Sequence, residues 1–154
     1  MNMSIALSLH VLFVVIWVGG MFFAYVALRP AAAISLDPPQ RLSLWSAVFT
    51  RFFPWVWVSI AIVLGTGYWM LFGPFGGFAN APVFVHIMHT LALLMTLIFF
   101  HIFFAPYKRL RQAVESKDWL KGAKALGQMR ILIAVNLAIG LITVLIATAG
   151  KYFI

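Results

Sequence analysis

Four histidines, the residues of this chain best suited to binding a metal, lie inside long apolar stretches of the sequence. They are His10, His86, His89 and His101. Ionisable side chains within a lipid bilayer are costly, and they mark functional sites. His86 and His89 are three residues apart, so in a helix they are neighbours on one face. Because imidazole nitrogens bind iron, copper and zinc alike, this pattern indicates a metal or metal-cofactor site.

Two kinds of site use histidines in this way. In the first, His10 from one apolar stretch and His86 or His89 from another ligate the iron of a haem b from opposite sides. In the second, the same histidines hold copper together with thioether sulfurs, which favour Cu(I). The methionines available for that site are Met3, Met70 and Met88. A third interpretation needs no ligand, because the histidines would only hydrogen-bond neighbouring helices.

The overall composition excludes a water-soluble globule. Of the 154 residues, 64% are hydrophobic and 9% are charged, whereas soluble domains carry about 25% charged residues. The net charge is +8, but these charges flank the apolar stretches, so no nucleic-acid partner is expected. The absence of cysteine excludes disulfides, thiolate metal sites and a cysteine nucleophile.

Four uncharged stretches are long enough to cross a membrane, which takes about 20 residues per helix. They cover residues 5–28, 52–72, 82–106 and 131–150. They lack the period-2 alternation of barrel strands and are about twice as long as one. The sequence therefore predicts an all-α fold, an integral membrane four-helix bundle that forms a single domain over residues 1–154. We expect the first span to stay in the mature protein, because no Lys or Arg precedes it.

The positive residues lie on one side of this arrangement. Three Arg separate spans one and two, seven Lys or Arg lie in residues 107–130, and Lys151 is the remaining one. By the positive-inside rule both connections are cytoplasmic, so both termini face the periplasm, in a bacterial inner membrane. Residues 107–130 are either a solvated cytoplasmic connector or an interfacial amphipathic helix that attracts anionic lipid.

Counting residues along the spans places three histidines in one layer near the outer face. His10, His86 and His89 lie about 8, 6 and 10 Å below the outer edge, whereas His101 lies roughly 20 Å from His86. Asn136 lies about 8 Å into span four from the inner side, near the depth of His101. We therefore expect His101 and Asn136 to hydrogen-bond each other between helices.

Four further residues are candidates for holding a cofactor: Gly65, Gly67, Trp17 and Arg51. The two glycines lie about 10 and 8 Å below the outer edge, where a backbone without Cβ admits a flat cofactor. Trp17, on nearly the same helix face as His10, forms a wall of the pocket or packs between helices. Arg51 either grips a carboxylate group of the ligand or snorkels to the inner interface.

The first and third spans resemble those of a known family. The residues that carry the resemblance are His10, Trp17, Gly19, Gly20, Arg29 and Pro30 in span one, with His86 and His101 in span three. This pattern is similar to the membrane domain of the copper resistance protein D (CopD) superfamily. The superfamily includes the HemJ type of protoporphyrinogen oxidase, which this chain resembles in length and in its four spans.

The resemblance implies two functions. CopD-like proteins are associated with moving copper across the inner membrane alongside periplasmic copper carriers. HemJ-like proteins bind haem b, with a span-one histidine that His10 matches, and oxidise protoporphyrinogen. Met88 stands where HemJ-type sequences have a lysine. Haem binding does not depend on that lysine, because ligation needs only the histidines.

Together these patterns predict an inner-membrane haem b-binding protein with a redox or electron-transfer role. His10 is one predicted axial ligand of the iron, and His86 or His89 is the other. The expected partners are the lipid bilayer and a redox protein or quinone, with homo-oligomerisation and an oxidoreductase activity left open. The alternatives are a CopD-like copper-binding or copper-transport protein with a periplasmic copper carrier, and a HemJ-like oxidase.

Overall fold

The computed structural model describes residues 2–153, and the regular elements within them are helical. They are α1 (Met3–Phe22), a π-helical segment (Phe23–Leu28), α2 (Arg29–Ser35), α3 (Pro38–Phe72), a 3-10 turn (Phe78–Asn80), α4 (Val83–Phe104), α5 (Pro106–Glu115) and α6 (Trp119–Phe153). Within that range, four helical stretches are long and apolar enough to cross a membrane: Met3–Ser35, Pro38–Phe72, Val83–Glu115 and Trp119–Phe153. The predicted all-α, four-span membrane fold is therefore confirmed, and its orientation across the membrane stays a prediction.

The long helices associate in two pairs, α1 with α3 and α4 with α6, and the pairs meet at an aromatic core. Phe99 of α4 joins the pairs, because its ring lies edge-on to Phe53 of α3 at 5.3 Å and to Trp17 of α1 at 6.5 Å. On the outer faces, apolar side chains such as Val15 and Leu145 are exposed. Helices that are apolar on every side are typical of membrane spans, where lipid covers the outer face.

The first helix changes its hydrogen-bond pattern just before a proline. The Arg29 N–H donates to the carbonyl of Ala24, five residues earlier, which is π-helical bonding. Pro30 has no N–H, and a proline ring crowds the carbonyl four residues before it. The wider π turn makes room for the proline, so that one helical stretch continues from Met3 to Ser35.

The helices extend past the predicted spans at what we call the basic end, formed by residues 29–51 and 107–130. There α5 and α6 form a hairpin that turns at Lys117, whose φ is 56°. Leu110 and Met129, one from each helix, are fully buried within the protein. The connector 107–130 is thus a helical hairpin that buries Leu110 and Met129 between its two helices, whereas Leu120 is exposed, and contact of its outer face with lipid stays a prediction.

Candidate functional site

His10 lies on α1 at the opposite end of the bundle, which we call the histidine end (residues 3–10, 66–89 and 148–153). Its Nδ1 is 2.9 Å from Oγ1 of Thr66 on α3. The single hydroxyl hydrogen of Thr66 is donated to the carbonyl of Ile62, at 2.6 Å. When the Thr66 hydroxyl donates to Ile62, its oxygen accepts a hydrogen bond from His10, which places the hydrogen on Nδ1 and leaves the lone pair on Nε2. This is the tautomer that metal-ligating histidines adopt when a second group orients the ring.

The two glycines that flank Thr66 differ in their surroundings. A Cβ built on Gly67 would lie 3.4 Å from Cε1 of His10, so the imidazole packs directly on the α3 backbone there. No described atom lies within 4 Å of a Cβ built on Gly65. Gly67 thus gives room to the His10 ring itself, and Gly65 borders open space.

The two histidines of α4 belong to an aromatic cluster, which consists of Tyr68, Phe72, Phe78, His86 and His89. His89 Nε2 is 2.9 Å from the Tyr68 hydroxyl. The Phe78 ring stacks on His86 at 5.9 Å and lies edge-on to His89 at 5.2 Å. Phe78 follows Gly77, whose φ of 93° favours glycine and bends the loop back over α4.

The three histidines lie at neighbouring levels of the bundle, but His10 and His89 contact different faces of α3 and His86 stacks on Phe78 of the 3-10 turn. Thr66 bonds His10 and Tyr68 bonds His89, and these two partners are two residues apart, which turns a helix by about 200°. Within residues 2–153, no three His, Cys, Asp or Glu side chains are grouped to hold one metal ion. His10 and His89 therefore do not share one face of α3, and ligation of a haem b by His10 with His86 or His89 stays a prediction.

Trp17 and Arg51 lie away from the histidines. Trp17 is buried about 10 Å deeper along α1 than His10, where it lines an interior cavity. The Arg51 side chain is exposed at the basic end of α3. Neither residue borders the described surroundings of His10.

The expected hydrogen bond between His101 and Asn136 is wrong. His101 is exposed on α4, whereas Asn136 on α6 is 1% exposed. Within the described residues, Asn136 Oδ1 has no hydrogen-bond partner. Depth along the spans places the two residues at one level, but their helices point the side chains in different directions.

Met70 is the methionine of α3 that lies one helical turn from Thr66, the hydrogen-bond partner of His10. Met70 follows Thr66 by four residues, so both lie on the face of α3 that α1 covers, and Met70 is buried. By contrast, Met88 is half-buried and Met3 is exposed. Sequence reasoning missed Thr66 as the partner of His10, although a hydroxyl between Gly65 and Gly67 in an apolar run was a usable signal.

The fold and these side chains define a multi-pass membrane protein with imidazole and thioether donors at one end. The family model of copper resistance protein D (CopD) matches residues 46–149, which is more than half of the chain. The chain therefore belongs to the CopD family, as its sequence pattern suggested. No curated protein and no solved structure matches it. The matched range includes Thr66, His86 and His89, whereas His10 precedes it.

Proposed function

We propose that this protein binds copper at its histidine end and carries it across the membrane as cargo. Membership of the CopD family relates the chain to copper resistance. The observation that carries the proposal is the contact between His10 Nδ1 and Thr66, because a Thr66 oxygen that accepts Nδ1–H leaves Nε2 with a lone pair for a metal. His10 is the first ligand in this proposal, and Met70 is the thioether on the facing side of α3.

The available donors favour copper over hard cations. The chain has three acidic residues, and all of them lie at or near the basic end, at Asp37, Glu115 and Asp118. Magnesium and calcium prefer carboxylate oxygens, so His10 and Met70 are poor ligands for them. Imidazole nitrogen with thioether sulfur instead favours copper, and Cu(I) in particular.

The cellular setting follows from the charge pattern. With the basic end in the cytoplasm of a bacterium, His10 faces the periplasm, where a periplasmic copper carrier is the partner of the site. Copper then moves from that carrier through the bundle. The lipid bilayer surrounds the four spans, in agreement with their exposed apolar faces.

The test is a metal analysis of the detergent-purified full-length protein with an absorption spectrum of the same sample. His10→Ala should lose the copper bound at the histidine end, because the imidazole nitrogen is gone. His101→Ala is the matched control: it also removes an imidazole, but from an exposed position on another helix. The control should bind copper as the wild type does.

Two results would contradict the proposal. Undiminished copper in His10→Ala would show that the imidazole is not a ligand. A Soret band with about one iron per chain would restore the haem b interpretation, including a HemJ-like redox activity and a redox partner.

A further inference from the structure

A small cavity lies deep in the bundle, away from the histidine end. Its volume is about 20 Å³, and side chains of α1, α3, α4 and α6 line it. The lining includes Trp17, Met21, Phe53, Phe99 and Asn136. Met21 is eleven residues from His10, or about 16 Å along α1, so this cavity is separate from the copper site proposed above.

The buried polar side chain of Asn136 is unusual in this apolar cavity unless a ligand binds to it. Its side chain is 1% exposed, and Oδ1 has no hydrogen-bond partner among residues 2–153. Buried polar groups are normally satisfied, and in lipid there is no bulk water to satisfy them. Intramembrane polar groups that face a bundle interior are functional candidates.

The other lining groups show what kind of ligand suits Asn136. Met21 contributes a thioether, which binds soft metals such as Cu(I). Trp17, Phe53 and Phe99 contribute aromatic rings, whose faces attract cations. The remaining lining residues are aliphatic or aromatic, so the set contains no carboxylate for a hard divalent ion. A cavity of this size fits one small ion.

Two helix irregularities lie beside the cavity. Ala24 lines it and belongs to the π-helical segment that follows α1. Pro54 follows the lining residue Phe53 inside α3, where a proline removes one backbone hydrogen bond. π-Helical turns are frequent at functional sites. Both irregularities allow the helices that line the cavity to shift around a bound ion.

We propose that the cavity between Met21 and Asn136 binds Cu(I) as a second position on the path from the histidine end to the basic end. This inference rests on the proposed copper function and adds the site that the cargo occupies inside the membrane. The Met21 thioether is the metal ligand, the Asn136 amide oxygen faces the positive charge, and the aromatic rings shield the ion from lipid.

The first experiment counts copper. Full-length protein is titrated anaerobically with Cu(I) in competition with bicinchoninate, a chromophoric Cu(I) chelator. The wild type should bind two Cu(I) per chain, and Met21→Leu, Asn136→Leu and His10→Ala should each bind one. Met129→Leu is the matched control, since Met129 is a fully buried methionine that does not line the cavity, and it should bind two.

A second measurement identifies the ligand. In His10→Ala the remaining Cu(I) should show sulfur scattering in its X-ray absorption spectrum. Because the chain has no cysteine, that sulfur must come from methionine. Adding Met21→Leu to His10→Ala should remove both the copper and the sulfur signal, whereas adding Met129→Leu should leave them. This readout does not depend on Asn136→Leu folding correctly.

The possible failures are distinguishable. A wild type that binds no copper overturns the proposed function, and this inference with it. A wild type that binds one Cu(I), lost in His10→Ala and kept in Met21→Leu, overturns this inference alone and leaves the function standing. Two Cu(I) in both Met21→Leu and Asn136→Leu would also overturn it.

Discussion

At the scale of single residues, one hydroxyl hydrogen decides what His10 can bind. Thr66 gives its hydrogen to the Ile62 carbonyl and so can only accept from the imidazole. In the proposed copper site, Thr66 positions His10, because it orients the ring and holds the hydrogen on Nδ1 without itself being a ligand. Tyr68 does not act on His89 in the same way, since its hydroxyl contacts Nε2, the nitrogen that points away from the helix backbone.

Replacing Thr66 by Val, which keeps its shape but removes the hydroxyl, should lower the copper affinity of the histidine end. Loss of such an orienting partner typically costs about 10- to 100-fold in metal affinity. The measurement is the chelator competition, in the Met21→Leu background so that the histidine end is observed alone. Thr90→Val is the control, because the Thr90 hydroxyl donates to the His86 carbonyl of its own helix. An equal affinity in Thr66→Val and Thr90→Val would contradict the positioning role.

At the scale of helices, composition predicts which segments span the membrane but not how each helix is rotated about its own axis. Because lipid lets every face of a helix be apolar, the hydrophobic pattern does not report which side meets a neighbour. Counting residues gives the depth of His10 and His89 in the membrane. Helix packing then brings the two side chains against different faces of α3. The same limit explains Asn136 and His101, which share a level while one is buried and the other exposed.

The helix contacts themselves can be tested at Gly140, where α6 meets α1 and α4. A Cβ built on Gly140 would lie 3.0 Å from Cγ2 of Val18 and 3.1 Å from Cε of Met95. Gly140→Leu should destabilise the fold by about 1–3 kcal/mol, because overpacking shifts neighbours and a β-branched valine is stiff. The measurement is the midpoint of thermal unfolding in detergent, monitored by circular dichroism.

Gly127→Leu is the matched control for this substitution. Gly127 lies on the same helix, and no described atom is within 4 Å of a Cβ built there. The control should keep the wild-type midpoint or exceed it, since leucine favours helix more than glycine does. If Gly140→Leu unfolded at the same temperature as Gly127→Leu, the result would contradict the close packing of α6 against α1 at Gly140.

At the scale of the whole molecule, the positive charges and three of the four histidines lie at opposite ends. Ten of the eleven Lys and Arg fall within residues 29–51 and 107–130, whereas His10 and the aromatic cluster lie at the histidine end. The positive charge of the basic end favours the cytoplasmic side and the anionic lipid there. A copper ion that enters at His10 therefore starts from the periplasmic side and moves toward the cytoplasm in the proposed function.

This orientation can be measured directly because the chain has no cysteine, so one introduced thiol is the only one present. Asn80→Cys marks the exposed loop of the histidine end, and Ser116→Cys marks the exposed turn of the basic end. In a bacterial inner membrane, a membrane-impermeant maleimide should label Asn80→Cys in spheroplasts, and Ser116→Cys only after permeabilisation. The cysteine-free parent is the control for background labelling. The reverse pattern would place His10 in the cytoplasm and turn the direction of copper movement around, while labelling of both thiols from one side would contradict the four-span arrangement.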